Sequence, residues 1–451
     1  MRRILLVEPG YRNKYPPLGL MKIATYHKLR GDFVLFAKGC VASLRETKWD
    51  RVYVSTLFTF HWKTVIDTIQ YYRRAVDSAD QIVVGGVMAT LLSKELQRET
   101  GATVVEGLLN RPGMLDRGDK QIIDVLPPDY GMLKDVDYEY GLEDAYIGYA
   151  TRGCPNRCGF CAVSRIEPDF VPYLPLKRQV QSIETIYGPK QHLVLLDNNV
   201  LASNQFDRII GDILDLGFER GAHLNGKLRR VDFNQGIDLR LLTVEKMKRL
   251  ATIALKPLRL AFDNIGLKAQ YRKCVRQAVD CGIRNLSTYV LYNYRDTPQD
   301  FYDRLRINVE INEELGVLIY SFPMKFIPLD AKDRRHVGRY WNRRLLRGVQ
   351  CILLATMGKV GTHLDFFEAA FGRTADEFIE IAMMPDEYII NRARHKNDGA
   401  AVWLKEFRRL SPKRRTAFLE LAGGGSQGFQ RMKRTYPALA GHYPAPRESR
   451  V

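Results

Sequence analysis

Residues 145–161 read Ala145-Tyr146-Ile147-Gly148-Tyr149-Ala150-Thr151-Arg152-Gly153-Cys154-Pro155-Asn156-Arg157-Cys158-Gly159-Phe160-Cys161. The apolar start of this stretch predicts a strand over 145–150, and a loop with C-x3-C-x2-C spacing follows it. Its glycines and its proline allow the tight turns that aim three sulfurs inward. Three thiolates from one short loop can hold a cubane iron–sulfur cluster and leave one iron open to another ligand.

Other chemistries fit the three cysteines less well. A structural zinc site needs a second pair of ligands with short spacing, which the remaining cysteines do not supply. A redox pair made of Cys158 and Cys161 leaves Cys154 unexplained. Unrelated buried thiols are the plainest alternative. The spacing, the glycines and the position after a strand favour the cluster.

The motif Cys154, Cys158 and Cys161, with Phe160 before the third cysteine, resembles that of the radical S-adenosylmethionine (SAM) enzymes. The resemblance implies a [4Fe-4S] cluster whose open iron is chelated by the amino and carboxylate groups of SAM. It implies that one electron, from a donor such as a flavodoxin or ferredoxin, cleaves SAM to a 5′-deoxyadenosyl radical. Phe160 would then lie against the adenine, with ordinary side-chain packing as the alternative.

Six strands alternate with helices over residues 144–330, which predicts a partial (β/α)6 TIM-type barrel. The strands are predicted at 145–150, 193–197, 230–235, 258–263, 284–291 and 317–322. Asp197 and Asn198 end the second strand, where the resemblance places the contact with the SAM amino group, although the usual Gly-Gly-Glu form is absent. Gln235 and Arg240 follow the third strand and are candidates for the ribose or the SAM carboxylate. Helix capping and turn formation are the alternative roles of such residues.

Residues 1–110 alternate strands and helices in the same way and predict a doubly wound parallel sheet of the flavodoxin or Rossmann type. The segments 15–20 (YPPLGL) and 83–86 (VVGG) resemble the N-terminal domain of cobalamin-binding radical SAM enzymes. The Asp-x-His-x-x-Gly loop that supplies a lower cobalt ligand is missing, and neither His27 nor His61 stands in that pattern. Cobalamin is therefore left open, and the alternative is a sheet retained for docking a substrate or partner.

The remaining segments have simpler signals. Residues 111–143 predict a linker, residues 331–421 a mostly helical region, and residues 422–451 a flexible basic tail that opens with Gly423-Gly424-Gly425-Ser426. The chain has a net charge of +18, and residues 331–451, with 23 basic and 12 acidic residues, carry +11 of it. Such a flank attracts phosphate-rich partners such as RNA or DNA, or it simply keeps the chain soluble.

Composition excludes several classes of protein. With 451 residues, 45% of them hydrophobic, the chain can build proper cores, and seven cysteines are too few for a disulfide framework. The apolar run before Glu8 is too short for a signal-peptide core, and no apolar stretch is long enough to cross a bilayer. These features predict a soluble, cytoplasmic protein with reduced thiols and no membrane partner.

The function predicted from the sequence is that of a radical SAM enzyme, which abstracts hydrogen or, with cobalamin, transfers a methyl group. No catalytic residue beyond the cluster ligands is singled out, and the substrate is unknown. One hypothesis is an RNA-modifying enzyme that uses the basic C-terminal region, and another is an enzyme acting on a peptide or small metabolite. A third is a non-catalytic iron–sulfur binding protein on the same scaffold.

Overall fold

The computed structural model describes residues 1–358 and 360–444 of the chain. The fold is mixed α/β with parallel sheets and many helices, so the predicted class is confirmed at this level. The chain divides into two compact units. Unit 1 contains Met1–Lys256 with Ile327–His336, and unit 2 contains Pro257–Phe326 and the described residues from Val337 onward.

The strands of unit 1 are β1 (Arg3–Glu8), β2 (Phe33–Lys38), β3 (Arg51–Thr56), β4 (Ile82–Gly86), β5 (Thr103–Val105), β6 (Ala145–Gly148), β7 (His192–Leu195), β8 (His223–Leu224), β9 (Lys227–Leu228) and β10 (Arg230–Phe233). Those of unit 2 are β11 (Leu258–Ala261), β12 (Asn285–Tyr292) and β13 (Leu318–Lys325).

The N-terminal sheet has the strand order β2-β1-β3-β4-β5, and every neighbouring pair is parallel. The strands are mostly buried because apolar runs such as Ile4–Val7 are covered by helices on both faces of a doubly wound sheet. The order reverses between β1 and β3, which is where sheets of this type bind ligands beyond their carboxyl ends. The edge strand β2 was not among the predicted strands.

The six strands predicted over residues 144–330 are all present, displaced by at most a few residues. They pair in parallel as two three-stranded sheets, β10-β7-β6 in unit 1 and β11-β12-β13 in unit 2. The partial barrel stays a prediction, because it concerns how these two sheets are arranged.

The helices of unit 1 are α1 (Leu18–Leu29), α2 (Ala42–Arg45), α3 (Trp62–Tyr72), α4 (Val87–Leu91), α5 (Ser93–Thr100), α6 (Val163–Ile166), α7 (Leu176–Tyr187), α8 (Phe206–Asp215) and α9 (Val244–Leu250). Those of unit 2 are α10 (Lys268–Asp280), α11 (Pro298–Leu315), α12 (Arg343–Ala355), α13 (Leu364–Phe371), α14 (Ala375–Met383), α15 (Asp386–Ile390), α16 (Arg392–His395), α17 (Gly399–Arg408), α18 (Pro412–Gly423), α19 (Gly425–Thr435) and α20 (Pro437–Ala440).

Two segments differ from their predictions. The expected linker over 111–143 packs onto unit 1 and buries Tyr130, Met132 and Tyr140. The expected flexible tail from 422 forms α19 and α20 instead, since apolar side chains recur there at helical spacing and join the core of unit 2. Residues 445–451 of that tail lie outside the described residues.

Membrane crossing requires a helix that is both long and consistently apolar. None of the helices in the described part of the chain meets both conditions.

Candidate functional site

The cysteine loop leaves β6 and returns to the same point, because backbone hydrogen bonds join its two ends. Arg152 and Val171 form an antiparallel bridge, with N–H to carbonyl distances of 3.0 and 2.9 Å. Leu174 N–H also donates to the carbonyl of Ala150 over 2.7 Å. The start of the loop is thereby fixed at the carboxyl end of β6, the edge where parallel sheets carry their functional residues.

A buried ionic network supports the base of this loop. The Arg152 side chain is nearly inaccessible, and its guanidinium donates to Glu167 over 2.7 Å and to Asp124 over 2.6 Å. Glu167 also accepts from the N–H of Gly153 at 2.7 Å and from the amide of Asn198 at 2.9 Å. The Glu167 carboxylate therefore connects the start of the loop, at Arg152 and Gly153, to Asn198 in the segment after β7.

Gly153 is the position in the loop where only glycine fits. Its φ is +69°, in the left-handed region. A Cβ atom there would lie 2.4 Å from the carbonyl oxygen of Asp169 and 2.9 Å from that of Glu167. The backbone of the returning segment thus occupies the space that any side chain would need.

Asp197 connects β7 to the start of the cysteine loop. Its carboxylate is 1% exposed and accepts hydrogen bonds from the N–H of Ala150 at 3.0 Å, from the N–H of Thr151 and from the Thr151 hydroxyl at 2.6 Å. Burial raises the pKa of Asp197 to about 6, against the lowering effect of these donors. These contacts hold the loop in place, and the predicted contact of Asp197 with SAM stays a prediction.

Asn199 brings an amide to the first cysteine. Its side chain is 3% exposed, and its Nδ2 lies 3.5 Å from Cys154 Sγ and 3.4 Å from Asp238 Oδ2. Its Oδ1 is buried and has no hydrogen-bond partner among the described residues. A buried acceptor without a donor is costly, by about 1–3 kcal/mol, so this oxygen is well placed to receive a donor from a ligand.

Asp238 gathers the remaining polar side chains beside the cysteines. It accepts from Asn156 Nδ2 at 3.1 Å, and the guanidinium of Arg240 donates to both of its oxygens at 2.8 Å. Asp238 and, to a smaller degree, the nearby Cys158 side chain raise the pKa of the Arg240 guanidinium. Burial alone would raise the pKa of Asp238, but the hydrogen bonds from Arg240 outweigh it. The net pKa is lowered, so the carboxylate stays charged. Hereafter, the strand-end polar cluster means Asn156, Asn199, Asp238 and Arg240.

The three cysteines predicted to hold the cluster are half-buried thiols on one loop. The N–H of Cys161 donates to the carbonyl of Cys158 over 3.0 Å, which forms a tight turn between them. Among the described residues, no three His, Cys, Asp or Glu side chains are gathered around a point that would suit one metal ion. In a cubane each thiolate binds a different iron, so the predicted ligand set is of another kind and stays a prediction.

The other predicted site residues have varied surroundings. Phe160 is half-buried beside Cys161, Asn198 is bonded to Glu167, and Gln235 is exposed. Of the predicted SAM-binding residues, Arg240 belongs to the strand-end polar cluster and interacts electrostatically with Cys158.

Sequence reasoning missed Asn199, Asp238 and Glu167 as individual contributors. Asn199 adjoins the predicted pair Asp197 and Asn198, and Asp238 stands two residues before Arg240. Their proximity in sequence to predicted site residues could have identified both Asn199 and Asp238. No sequence signal marked Glu167.

The carboxyl end of β1 carries a second polar group. Glu8 is buried and accepts from Lys38 at 2.7 Å, from Asn13 at 3.3 Å and from the hydroxyl of Tyr140. A cavity of about 580 Å³ lies beside it, lined in part by Lys38 and Tyr138.

Both histidines of the N-terminal sheet are engaged with protein groups. His27 is fully buried between Tyr53, 2.9 Å from Nε2, and Asp32, 2.8 Å from Nδ1, and burial lowers its pKa to about 4. His27 is a residue of α1. His61 stacks on Tyr11 with ring centroids 4.9 Å apart, and burial together with Arg334 lowers its pKa.

No protein-family description matches the chain, and no curated protein matches its sequence. Among solved structures, the chain resembles Streptococcus suis SuiB bound to the precursor peptide SuiA, with 12% identity, a TM-score of 0.32 and coverage of 48% of this chain and 47% of that one. It also resembles HydG, a maturase of the [FeFe]-hydrogenase, with 13% identity, a TM-score of 0.25 and coverage of 69% and 85%. The match thus spans less than half of the SuiB chain, and similarity at these TM-scores carries no argument about activity.

Proposed function

We propose that the chain is a radical SAM enzyme whose Cys154, Cys158 and Cys161 bind one [4Fe-4S] cluster. The observation that carries this proposal is the contact between the cysteine loop and the strand-end polar cluster. Asn199 Nδ2 lies 3.5 Å from Cys154 Sγ, and the positive charge of Arg240 interacts with the Cys158 side chain. Thiols that share one loop, with hydrogen-bond donors directed at them, suit an iron–sulfur cluster better than unrelated packing.

The strand-end polar cluster also fits the amino-acid end of SAM, which carries an ammonium and a carboxylate. The unpartnered Oδ1 of Asn199 and the carboxylate of Asp238 are acceptors for an ammonium. The exposed guanidinium of Arg240 is a donor for a carboxylate. This assigns the predicted SAM contact to Asn199 rather than to Asp197, which is occupied by the loop backbone.

A cluster held by Cys154, Cys158 and Cys161 would supply the electron for cleavage of bound SAM, taken from a donor such as a flavodoxin or ferredoxin, so that hydrogen could be abstracted from the substrate. The protein's own part is to hold the loop rigid through Asp197, Glu167 and Gly153. Arg240 and Asn199 set the polarity around the sulfurs, which tunes the reduction potential of a bound cluster.

The residues present do not fit a histidine-ligated cobalamin. Both ring nitrogens of His27 are engaged, and His61 is stacked on Tyr11. At the end of β1, Lys38 and Tyr140 surround the buried Glu8 carboxylate, and neither is a histidine ligand. We therefore propose hydrogen abstraction, rather than cobalamin-assisted methyl transfer, as the reaction.

The test is anaerobic reconstitution of the full chain with iron and sulfide, followed by addition of SAM and a strong reductant. We expect about four irons per chain and release of 5′-deoxyadenosine. Serine at Cys154, Cys158 and Cys161 together should abolish both, whereas Cys40→Ser, on an exposed thiol outside the loop, should change neither.

The other outcomes discriminate among the alternatives. Full iron content in the triple serine variant would refute the ligand assignment. A cluster without SAM cleavage would favour a non-catalytic iron–sulfur protein. Bound cobalt with a corrin absorption band, or formation of S-adenosylhomocysteine, would overturn the choice of hydrogen abstraction over methyl transfer.

A further inference from the structure

The C-terminal helices α18 and α19 carry an unusual concentration of positive charge. Residues 411–444 contain six Lys or Arg residues and one acid, Glu420. Five of the six cations are exposed and have no ion pair with any acid among the described residues: Lys413, Arg414, Arg431, Lys433 and Arg434. Elsewhere in unit 2 many cations are paired, as Arg347 is with Asp386 and Arg408 with Glu380.

The packing of the two helices brings these cations together. The hydroxyl of Tyr436 donates to the carbonyl of Arg414 over 3.1 Å, and the Arg414 guanidinium lies 5.5 Å from the centre of the Tyr436 ring. The first turn of α18 therefore lies beside the last turn of α19, where Lys433 and Arg434 stand. Lys413 and Arg414 thus stand on the turn of α18 that adjoins the end of α19, so basic residues of the two helices neighbour one another.

This charge arrangement is unfavourable in the isolated protein. The first turn of α18 holds Lys413 and Arg414 and no acid, so its cations oppose the helix dipole. Cations this close also repel one another unless a polyanion neutralises them. The surface is thus complementary to a row of phosphates.

The neutral side chains on the same helices indicate which nucleic acid fits. On α19, Ser426, Gln427 and Gln430 are exposed among the cations. Hydroxyls and amides both donate and accept, as the 2′-hydroxyls of RNA do. The aromatic rings Phe418 and Phe429 are buried, so α18 and α19 offer no platform for stacking unpaired bases.

We propose that the exposed surface of α18 and α19 binds double-helical RNA through its phosphates and 2′-hydroxyls. The inference names a partner for the proposed enzyme. Binding does not need the cluster or SAM, so the two proposals can fail separately.

The test measures binding of a labelled RNA hairpin to the full-length protein over a range of salt concentrations, without SAM or reductant. Lys413→Glu with Lys433→Glu should weaken binding about tenfold or more and reduce the slope of log affinity against log salt by about 2. The matched control is Lys94→Glu with Arg98→Glu, which removes the same charge from the exposed face of α5 and should leave the slope unchanged. The melting temperature of each variant shows whether it is folded, and the neutral pair Lys413→Gln with Lys433→Gln should weaken binding less than the reversal.

Three results would overturn the proposal. They are absence of salt-dependent binding, an equal loss in the α5 control, and equal or tighter binding of single-stranded RNA or of a DNA duplex with the same sequence. SAM cleavage without RNA should be the same in both charge-reversal variants, so its loss would concern the proposed enzyme activity and not this surface.

Discussion

Two buried arginines, one in each unit, are held in different ways. Arg152 in unit 1 is bonded to two carboxylates, Asp124 and Glu167. Arg304 in α11 of unit 2 is 0% exposed and pairs with one carboxylate, Asp296, at 2.9 Å.

The other partners of Arg304 are backbone carbonyls. Its guanidinium donates to Phe262 O at 3.0 Å, to Leu291 O at 2.8 Å and to Asp300 O at 3.0 Å. It therefore ties the ends of β11 and β12 to α11, and its removal disturbs the fold itself. The carboxylates around Arg152 instead hold the cysteine loop, so the same side chain serves a scaffold in one unit and a candidate site in the other.

The largest effect is expected for Arg304→Met. It leaves Asp296 as a buried charge and removes a donor from three carbonyls, which should lower the free energy of unfolding by about 3–5 kcal/mol. Denaturant unfolding followed by tryptophan fluorescence measures it. The control Arg272→Met breaks partly exposed pairs with Glu310 and Glu314 and should cost about 1 kcal/mol or less. Equal losses of unfolding free energy in the two variants would show that the burial of Arg304 does not determine its contribution to stability.

A smaller effect on stability is expected for Arg152→Met. Glu167 keeps two other donors and Asp124 keeps Lys22 at 3.0 Å, so the loss should be about 2–3 kcal/mol. Because this network holds the cysteine loop, the iron content after reconstitution should fall by a larger fraction than the free energy of unfolding does. Iron analysis measures the iron content, and proteolysis of residues 153–171 shows whether the loop stays ordered. A variant with full iron content and an intact loop would contradict the distinction between the two arginines.

The smallest effect concerns the loop backbone without any change of charge. The Cβ atom added by Gly153→Ala would clash with two carbonyl oxygens. Gly188 has a similar positive φ of +75°, but a Cβ atom added there has no other atom within 4 Å. Gly153→Ala should therefore cost about 1–2 kcal/mol more than Gly188→Ala in free energy of unfolding, and it alone should lower iron content. Similar values for both variants would mean that the loop tolerates a shift of its returning segment.

The strands and most helices followed from the sequence because apolar runs, turn residues and helical spacing are local signals. β2 was missed because it is an edge strand between Gly31 and Gly39 that is only partly buried. α19 was missed because three consecutive glycines before it suggested a flexible segment. Phe429, Met432, Tyr436 and Leu439 recur at helical spacing in that region, and this signal was available.

The candidate site was predictable in its cysteines and much less in its surroundings. Asp197 meets Thr151 across 46 residues, and Asn199 meets Cys154 across 45, so the contacts depend on the alignment of β6 and β7. Sequence spacing shows which polar residues follow a strand. It does not show which of them turns to the loop backbone, as Asp197 does, and which turns to a sulfur, as Asn199 does.

The bridge between Arg152 and Val171 also bears on how this chain can vary. Because the two ends of the segment meet at the sheet, extra residues inserted between Cys161 and Glu167 would extend outward without moving β6 or β7. Doubling the length of such an excursion adds only about 0.6 kcal/mol of closure entropy. The placement of Cys154 is thus independent of the length of the segment that follows Cys161.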